Sequence, residues 1–182
     1  MTSAGSPGFA HPRRVVVMGV SGCGKSTLGS ALAQKLGWAF VEGDSQHSPQ
    51  NVAKMASGQP LNDDDRAGWL LRLSGLLAQA RERDQGLVMS CSALKRSYRD
   101  ILRQGDAGLL FVHLQGEAAL IANRLADRPG HYMPASLLHS QFADLQMPDA
   151  DEAVLTLGIA LSPQDQISGA MAHLKQPETQ SA

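Results

Sequence analysis

Residues 15–37, VVVMGVSGCGKSTLGSALAQKLG, decide the fold. An apolar run from Val15 to Met18 drops into six small residues, Gly19-Val20-Ser21-Gly22-Cys23-Gly24, then meets Lys25-Ser26-Thr27 and a helical pattern. Strand, loop and helix in that order satisfy the phosphate-loop pattern Gly-x-x-x-x-Gly-Lys-Ser/Thr. Backbone N–H groups can wrap a polyphosphate only where no Cβ atoms stand in the way, which is why the loop needs glycine. The helix that follows points its unsatisfied N–H groups and positive dipole end at the same anion. Lys25 is expected to reach the β- and γ-phosphates, and the Ser26 hydroxyl to ligate Mg²⁺. Gly19, Val20, Ser21, Gly22, Cys23, Gly24, Lys25, Ser26 and Thr27 are therefore the candidate nucleotide-binding residues. Cys23 holds a variable position of the loop and is assigned no chemistry of its own.

Composition limits what else the chain can do. With 182 residues it has the length of one domain with a sheet covered on both faces. A formal net charge of -1 and an aromatic content of 4% speak against a nucleic-acid partner. Cys23 and Cys91 form no CxxC or Cys/His cluster and read as reduced thiols. The opening MTSAGSPGFAHPRR has no apolar core of a signal peptide, and no run approaches the roughly 20 apolar residues of a membrane span. The expectation is a soluble, cytoplasmic protein with no membrane partner.

Apolar runs alternate with helical patterns along the chain. Strands are expected at 14–20, 39–42, 87–90, 109–114 and 153–157, and helices at 25–36, 49–57, 63–83, 94–102, 117–127, 134–145 and 163–174. Asn62 is a natural N-cap, followed by Asp63, Asp64 and Asp65 in the first turn, where the helix dipole favours negative charge. Strands separated by helices require crossovers, hence a parallel sheet. The fold class is α/β: a three-layer P-loop NTPase fold with a mostly five-stranded parallel sheet, helices on both faces and a small lid. The domain spans 13–175, with flexible tails at 1–12 and 176–182.

The phosphate loop names a nucleotide but not its use. The strand before CSALK ends at Ser90 rather than in an aspartate, and no Asn-Lys-x-Asp segment follows, so a motor or a GTPase switch is disfavoured. The stretch FVEGDSQHSPQNVAKM instead places Glu42, Asp44 and His47 at a strand end beside the phosphate site. Asp44 can hold an alcohol and take its proton as the oxygen attacks phosphorus, or it can merely cap the next turn. Glu42 is a weaker candidate for ordering a metal's water shell. His47 can hydrogen-bond a polyol, or be a turn histidine. Arg66 offers a guanidinium fork for a substrate carboxylate, with an exposed salt bridge as the alternative. Trp69 is expected to pack on the core. Lys95, at the start of a helix, can face the substrate, and Arg99 reads equally well as a surface residue. In NRLADRPGHYMP, Arg124 and Arg128 share one helix face and lead into a Gly-containing loop. That suits a lid that closes over the triphosphate and neutralises charge during transfer. A solvated basic face is the plainer alternative.

Four stretches, MGVSGCGKST, EGDSQHSPQNVAKMASGQPLNDDDR, CSALKRSYRD and RLADRPGHYMPASLLHSQFADLQMP, together resemble the gluconokinase family, small P-loop kinases with the general fold of shikimate and adenylate kinases. The resemblance runs from Arg14 to about Pro148 and departs from the family pattern at Gln46, Ser48, Gly68 and Gln146-Met147. It implies phosphorylation of D-gluconate at its 6-hydroxyl by ATP with Mg²⁺. By the same resemblance Gly19 to Ser26 binds ATP, the Asp44 and Arg66 neighbourhood takes gluconate, Arg128 belongs to the lid, and a homodimer is expected. The adenine-contacting segment is placed at 157–163 by position alone. A different sugar-acid or shikimate-type kinase, and a nucleotide-sensing protein without turnover, are the alternatives the residues leave open.

Overall fold

The computed structural model describes residues 13–127 and 135–176. Of the expected tails at 1–12 and 176–182, all but Gln176 lie outside the described residues, as does the lid segment 128–134 with Arg128. Five strands form one sheet: β1 (Arg14–Met18), β2 (Ala39–Glu42), β3 (Leu87–Ser90), β4 (Leu110–Gln115) and β5 (Val154–Gly158). Their order is β2-β3-β1-β4-β5, every pair parallel. Seven α-helices accompany them among the described residues: α1 (Lys25–Leu36), α2 (Pro49–Ala56), α3 (Asp63–Glu82), α4 (Arg96–Gly105), α5 (Ala118–Ala126), α6 (Ala135–Asp144) and α7 (Pro163–Leu174).

The unbroken apolar text of β1 makes it the central strand, because only a strand covered on both faces can afford apolar residues at consecutive positions. Val15 and Val17 point to a layer containing Leu28, Leu32 and Leu36 of α1 and Ala170 and Leu174 of α7. Val16 and Met18 point to the opposite layer, with Trp69, Leu70, Leu73 and Leu77 of α3 and Tyr98 and Leu102 of α4. The order reverses around β1, whose neighbours are β3 and β4. A crevice therefore opens at the carboxyl ends of the strands, and the loop after β1 lies in it.

Element ends differ from the sequence reading where the backbone turns. β1 stops at Met18, two residues early, because Gly19 adopts φ 140°. α4 begins at Arg96 rather than Leu94, since Ala93 takes φ 44° and Lys95 stays extended as the N-cap. The acidic start of α3 is a reciprocal cap: Asp65 N–H donates to Asn62 Oδ1 and Asn62 N–H to Asp65 Oδ2, each at 2.8 Å.

Arg99 is not a surface residue. It is fully buried, with Nε and Nη2 donating to Glu152 at 2.6 and 2.7 Å. Its Nη1 donates to the carbonyls of Ala93, Leu94 and Gln146, each at 3.1 Å. Hydrogen bonding from Arg99 holds the Glu152 carboxyl down to about 2 despite its burial. One guanidinium thus fastens the loop after β3, the exit from α6 and the turn before β5. Arg99→Ala should cost about 3–5 kcal/mol, because the buried Glu152 carboxylate loses its two short hydrogen bonds and keeps, among the described residues, only the longer ion pair with Arg103 at 3.3 Å. In urea unfolding, Arg99→Met combined with Glu152→Met should recover most of that loss.

Candidate active site

The phosphate loop has the shape its sequence demands. A Cβ on Gly19 would lie 2.8 Å from the Leu114 carbonyl oxygen and 2.8 Å from Cys23 Sγ, in a backbone conformation that side chains rarely adopt. Cys23 faces inward at 1% exposure, and burial pushes its thiol up, so it is packing and not a nucleophile. Gly24 caps α1 without any side-chain hydrogen bond, which leaves first-turn N–H groups of that helix open for an anion. Lys25 Nζ donates to the Val20 carbonyl at 3.1 Å and lines the cleft beside Ser26 and Thr27. The N–H of Ser21 is already engaged, donating to Gln141 Oε1 at 2.6 Å.

A cleft of about 750 Å³ runs from this loop to Asp44, His47 and Arg66, with Leu137, Ser140 and Gln141 of α6 along one side. Asp44 lies in the short 3₁₀ turn that follows β2. Its carboxylate has no hydrogen-bond or ion-pair partner among the described residues. The turn is held tightly. A Cβ on Gly43 would lie 2.1 Å from the Ser90 carbonyl oxygen, Gly43 N–H donates to Ser90 Oγ at 3.2 Å, and the Trp69 indole N–H donates to the Gly43 carbonyl at 2.8 Å. Trp69 is buried in the core as expected, and it also stacks on His47 with ring centroids 4.1 Å apart. Burial lowers the His47 pKa, with the Asp44 charge opposing, so the imidazole is neutral near pH 7 and able to hydrogen-bond a hydroxyl. Glu42 accepts a hydrogen bond from Ser90 and is not among the residues lining this cleft.

Two smaller clefts adjoin the first. One, of about 350 Å³, shares Gly22, Gly24 and Thr27 with it and is walled by Arg124, Ile159, Leu161 and Pro163. Arg124 Nη2 donates to the Ile159 carbonyl at 2.6 Å and lines this smaller cleft, not the one that holds Asp44. The other, of about 470 Å³, shares Pro60, Leu61, Arg66 and Ser140 with the main cleft and adds Asp63, Lys95 and Asp144. There Arg66 Nη1 donates to Tyr98 Oη at 2.9 Å and faces Asp144 at 3.3 Å. Lys95 Nζ pairs with Asp63 at 2.7 Å and lies 3.7 Å from Asp144. Tyr98 donates in turn to Asp63.

The described candidates therefore converge on one system of three connected clefts, with Lys25, Ser26, Asp44, His47 and Arg66 in the central one. Comparison with known proteins gives it a family. The shikimate kinase family model matches residues 21–145. The gluconokinase of Gluconobacter oxydans is 52% identical over 144 residues, covering 79% of this chain and 81% of that protein. The chain belongs to the gluconokinase family. The thermoresistant gluconokinase of Escherichia coli is 46% identical, covering 75% of this chain and 78% of that protein. The crystal structure of a gluconokinase from Sinorhizobium meliloti superposes with a TM-score of 0.83 at 44% identity, covering 90% and 92% of the two chains. A gluconokinase-type kinase fold, and with it the use of a nucleotide, is thus established for the chain.

Gln141, Asp144 and Tyr98 were not singled out from sequence. The signal for the first two was the shared face of α6, since positions three apart lie side by side on a helix. For Lys25→Ala the expected outcome is a loss of about 10²–10³ in kcat, the usual cost of one electrostatic donor to the transferring group. Thermal unfolding should be little changed, because the lysine touches only a loop carbonyl. Activity within about threefold of wild type in the folded variant would contradict the phosphate-loop assignment.

Proposed function

We propose that the chain transfers the γ-phosphoryl group of ATP to the 6-hydroxyl of D-gluconate, giving ADP and 6-phosphogluconate. The observation that carries this reading is one cleft lined by a phosphate loop, by Asp44, whose carboxylate has no partner among the described residues, and by the guanidinium of Arg66. A kinase of a sugar acid needs that arrangement: an anion cradle, a proton acceptor for the attacking alcohol and a cation for the carboxylate.

The triphosphate lies in the loop from Gly19 to Thr27, on the N–H groups at the start of α1, with Lys25 against the β- and γ-oxygens. The Gly19 N–H is spent on the Ser92 carbonyl at 3.2 Å. The adenine takes the small cleft between Arg124 and Leu161, whose apolar walls suit a flat base. Asp44 accepts the proton of the 6-hydroxyl as the new O–P bond forms and the β–γ bridging bond breaks, leaving the electron pair on ADP. Neutral His47 orients a hydroxyl of the polyol, and Arg66 with Lys95 receives the carboxylate. Arg128 is assigned to the lid, where a guanidinium would neutralise charge on the moving group and closure would exclude water as a competing acceptor.

For Mg²⁺ the residues present are a fit of the usual sparse kind. Among the described residues no cluster of three His, Cys, Asp or Glu could hold a metal, while the Ser26 hydroxyl lines the cleft beside Lys25. Magnesium keeps most of its waters and binds through one or two protein oxygens and the phosphates. Ser26 would be that protein ligand, and the ion would shield the charge of the β- and γ-oxygens. A cytoplasmic homodimer, with one kinase domain at 13–175, completes the reading.

Two variants test it. Asp44→Asn keeps the shape and removes the base, so kcat should fall steeply while ATP binding by calorimetry changes little. A change confined to ATP affinity would move Asp44 to the nucleotide side. With Arg66→Ala, gluconate kcat/KM should drop far more than that of sorbitol, which offers hydroxyls without a carboxylate. Wild type should prefer gluconate over sorbitol by about tenfold or more, since 1.4 kcal/mol corresponds to one decade. An equal loss for both substrates would show that another residue reads the carboxylate.

A further inference from the structure

Arg66 and Lys95 already face a carboxylate that belongs to the protein itself. Asp144, the last residue of α6, is 3.3 Å from Arg66 Nη1 and 3.7 Å from Lys95 Nζ. A carboxylate at a helix C-terminus is disfavoured by the negative end of the dipole, so local helix energetics do not explain an aspartate there. The two cations do. We propose that Asp144 is an internal stand-in for the substrate carboxylate, and that a sugar acid binds by taking its place on Arg66 and Lys95. The inference rests on the reading of Arg66 as the carboxylate receptor.

Two acidic groups lie at these cations, Asp144 at both and Asp63 at Lys95, and only one is built to leave. Asp63 lies on α3 with Arg66, in the first turn where the dipole favours it, and bonds Lys95 at 2.7 Å and the Tyr98 hydroxyl. Hydrogen bonds from Lys95 and Tyr98 hold its carboxyl below the usual range. Among the described residues Asp144 makes only the two long contacts, from a different helix. That helix is tied to the phosphate loop through Gln141, whose Oε1 accepts the Ser21 N–H at 2.6 Å. Gln141 and Asp144 are three apart and share a face, so one helix occupies a donor of the phosphate loop and the cations of the acceptor side together. A bound carboxylate beside Arg66 would repel Asp144 and drive this face of α6 away.

The exchange sets specificity. A neutral polyol leaves Arg66 paired with Asp144 and gains nothing there, while a sugar acid gains only the difference between its own carboxylate and that of Asp144. Asp144 thus tempers the affinity for acids. Removing its charge should sharpen discrimination rather than dull it.

The test uses the full-length enzyme, with D-gluconate binding by calorimetry without nucleotide and kcat/KM for gluconate and sorbitol. Asp144→Asn should tighten the gluconate Kd about threefold to fivefold, the scale of a partly exposed ion pair, and raise the gluconate-over-sorbitol ratio by a similar factor. Asp144→Glu, which keeps the charge, should stay near wild type. Equal or weaker gluconate binding in a folded Asp144→Asn enzyme would overturn the proposal, because Asp144 would then merely position Arg66. Arg66→Ala, assayed in parallel, separates the two levels. If it is not selective for gluconate, the carboxylate reading fails and the stand-in falls with it. If it is selective and Asp144→Asn brings no gain, only the stand-in fails.

Discussion

A polyphosphate held by backbone N–H groups imposes conditions that reach through the whole molecule. The loop must follow a buried strand, so that it is rigid, and precede a helix, so that open N–H groups converge on the anion. It must also lack side chains where the chain folds on itself, as at Gly19 against Leu114. β1 meets the first condition by lying between β3 and β4 with Val15 to Met18 fully buried. α1 meets the second through an uncapped N-terminus at Gly24. Once these are fixed, the carboxyl ends of the neighbouring strands face the same crevice as the phosphate loop.

The acceptor side is organised by β2 and β3 through a chain of contacts that ends in Asp44. Ser90, at the end of β3, receives the Gly43 N–H and donates to Glu42. Trp69 clamps the Gly43 carbonyl from α3 and supports His47 by stacking. A residue whose sequence context is apolar packing therefore also holds the turn that carries Asp44, the proposed proton acceptor. α6 closes the arrangement by touching both sides, at Ser21 through Gln141 and at Arg66 through Asp144. The helix carrying these two side chains is coupled to both proposed substrate sites by a direct hydrogen bond and an ion pair, so any shift of α6 is felt at each.

Much of this was legible in the sequence because it depends on local pattern. Among the described residues the alternation of buried runs and amphipathic stretches predicts every strand and α-helix to within a few residues, and the Asn62 cap and the start of α1 are written in adjacent letters. The candidates near the phosphate loop could be placed because strand ends in a parallel sheet share one edge. What escaped are contacts between distant segments. Arg99 and Glu152 are 53 positions apart, and nothing near Arg99 marks it as buried. Gln141 lies 120 positions from the Ser21 it holds, and Asp144 lies 78 from Arg66. Such pairings follow from how helices pack across the sheet, which periodicity does not encode.

The central claim is that one cleft brings the γ-phosphate to the 6-hydroxyl of a sugar acid. The most direct measurement is phosphorus and proton NMR of the product formed from ATP, Mg²⁺ and D-gluconate, with ADP release followed in parallel and shikimate and acceptor-free mixtures as controls. ADP release should depend on gluconate, with one equivalent of phosphoryl group on the C6 oxygen. ADP release at the same rate without gluconate, or a phosphoryl group on another oxygen, would contradict it.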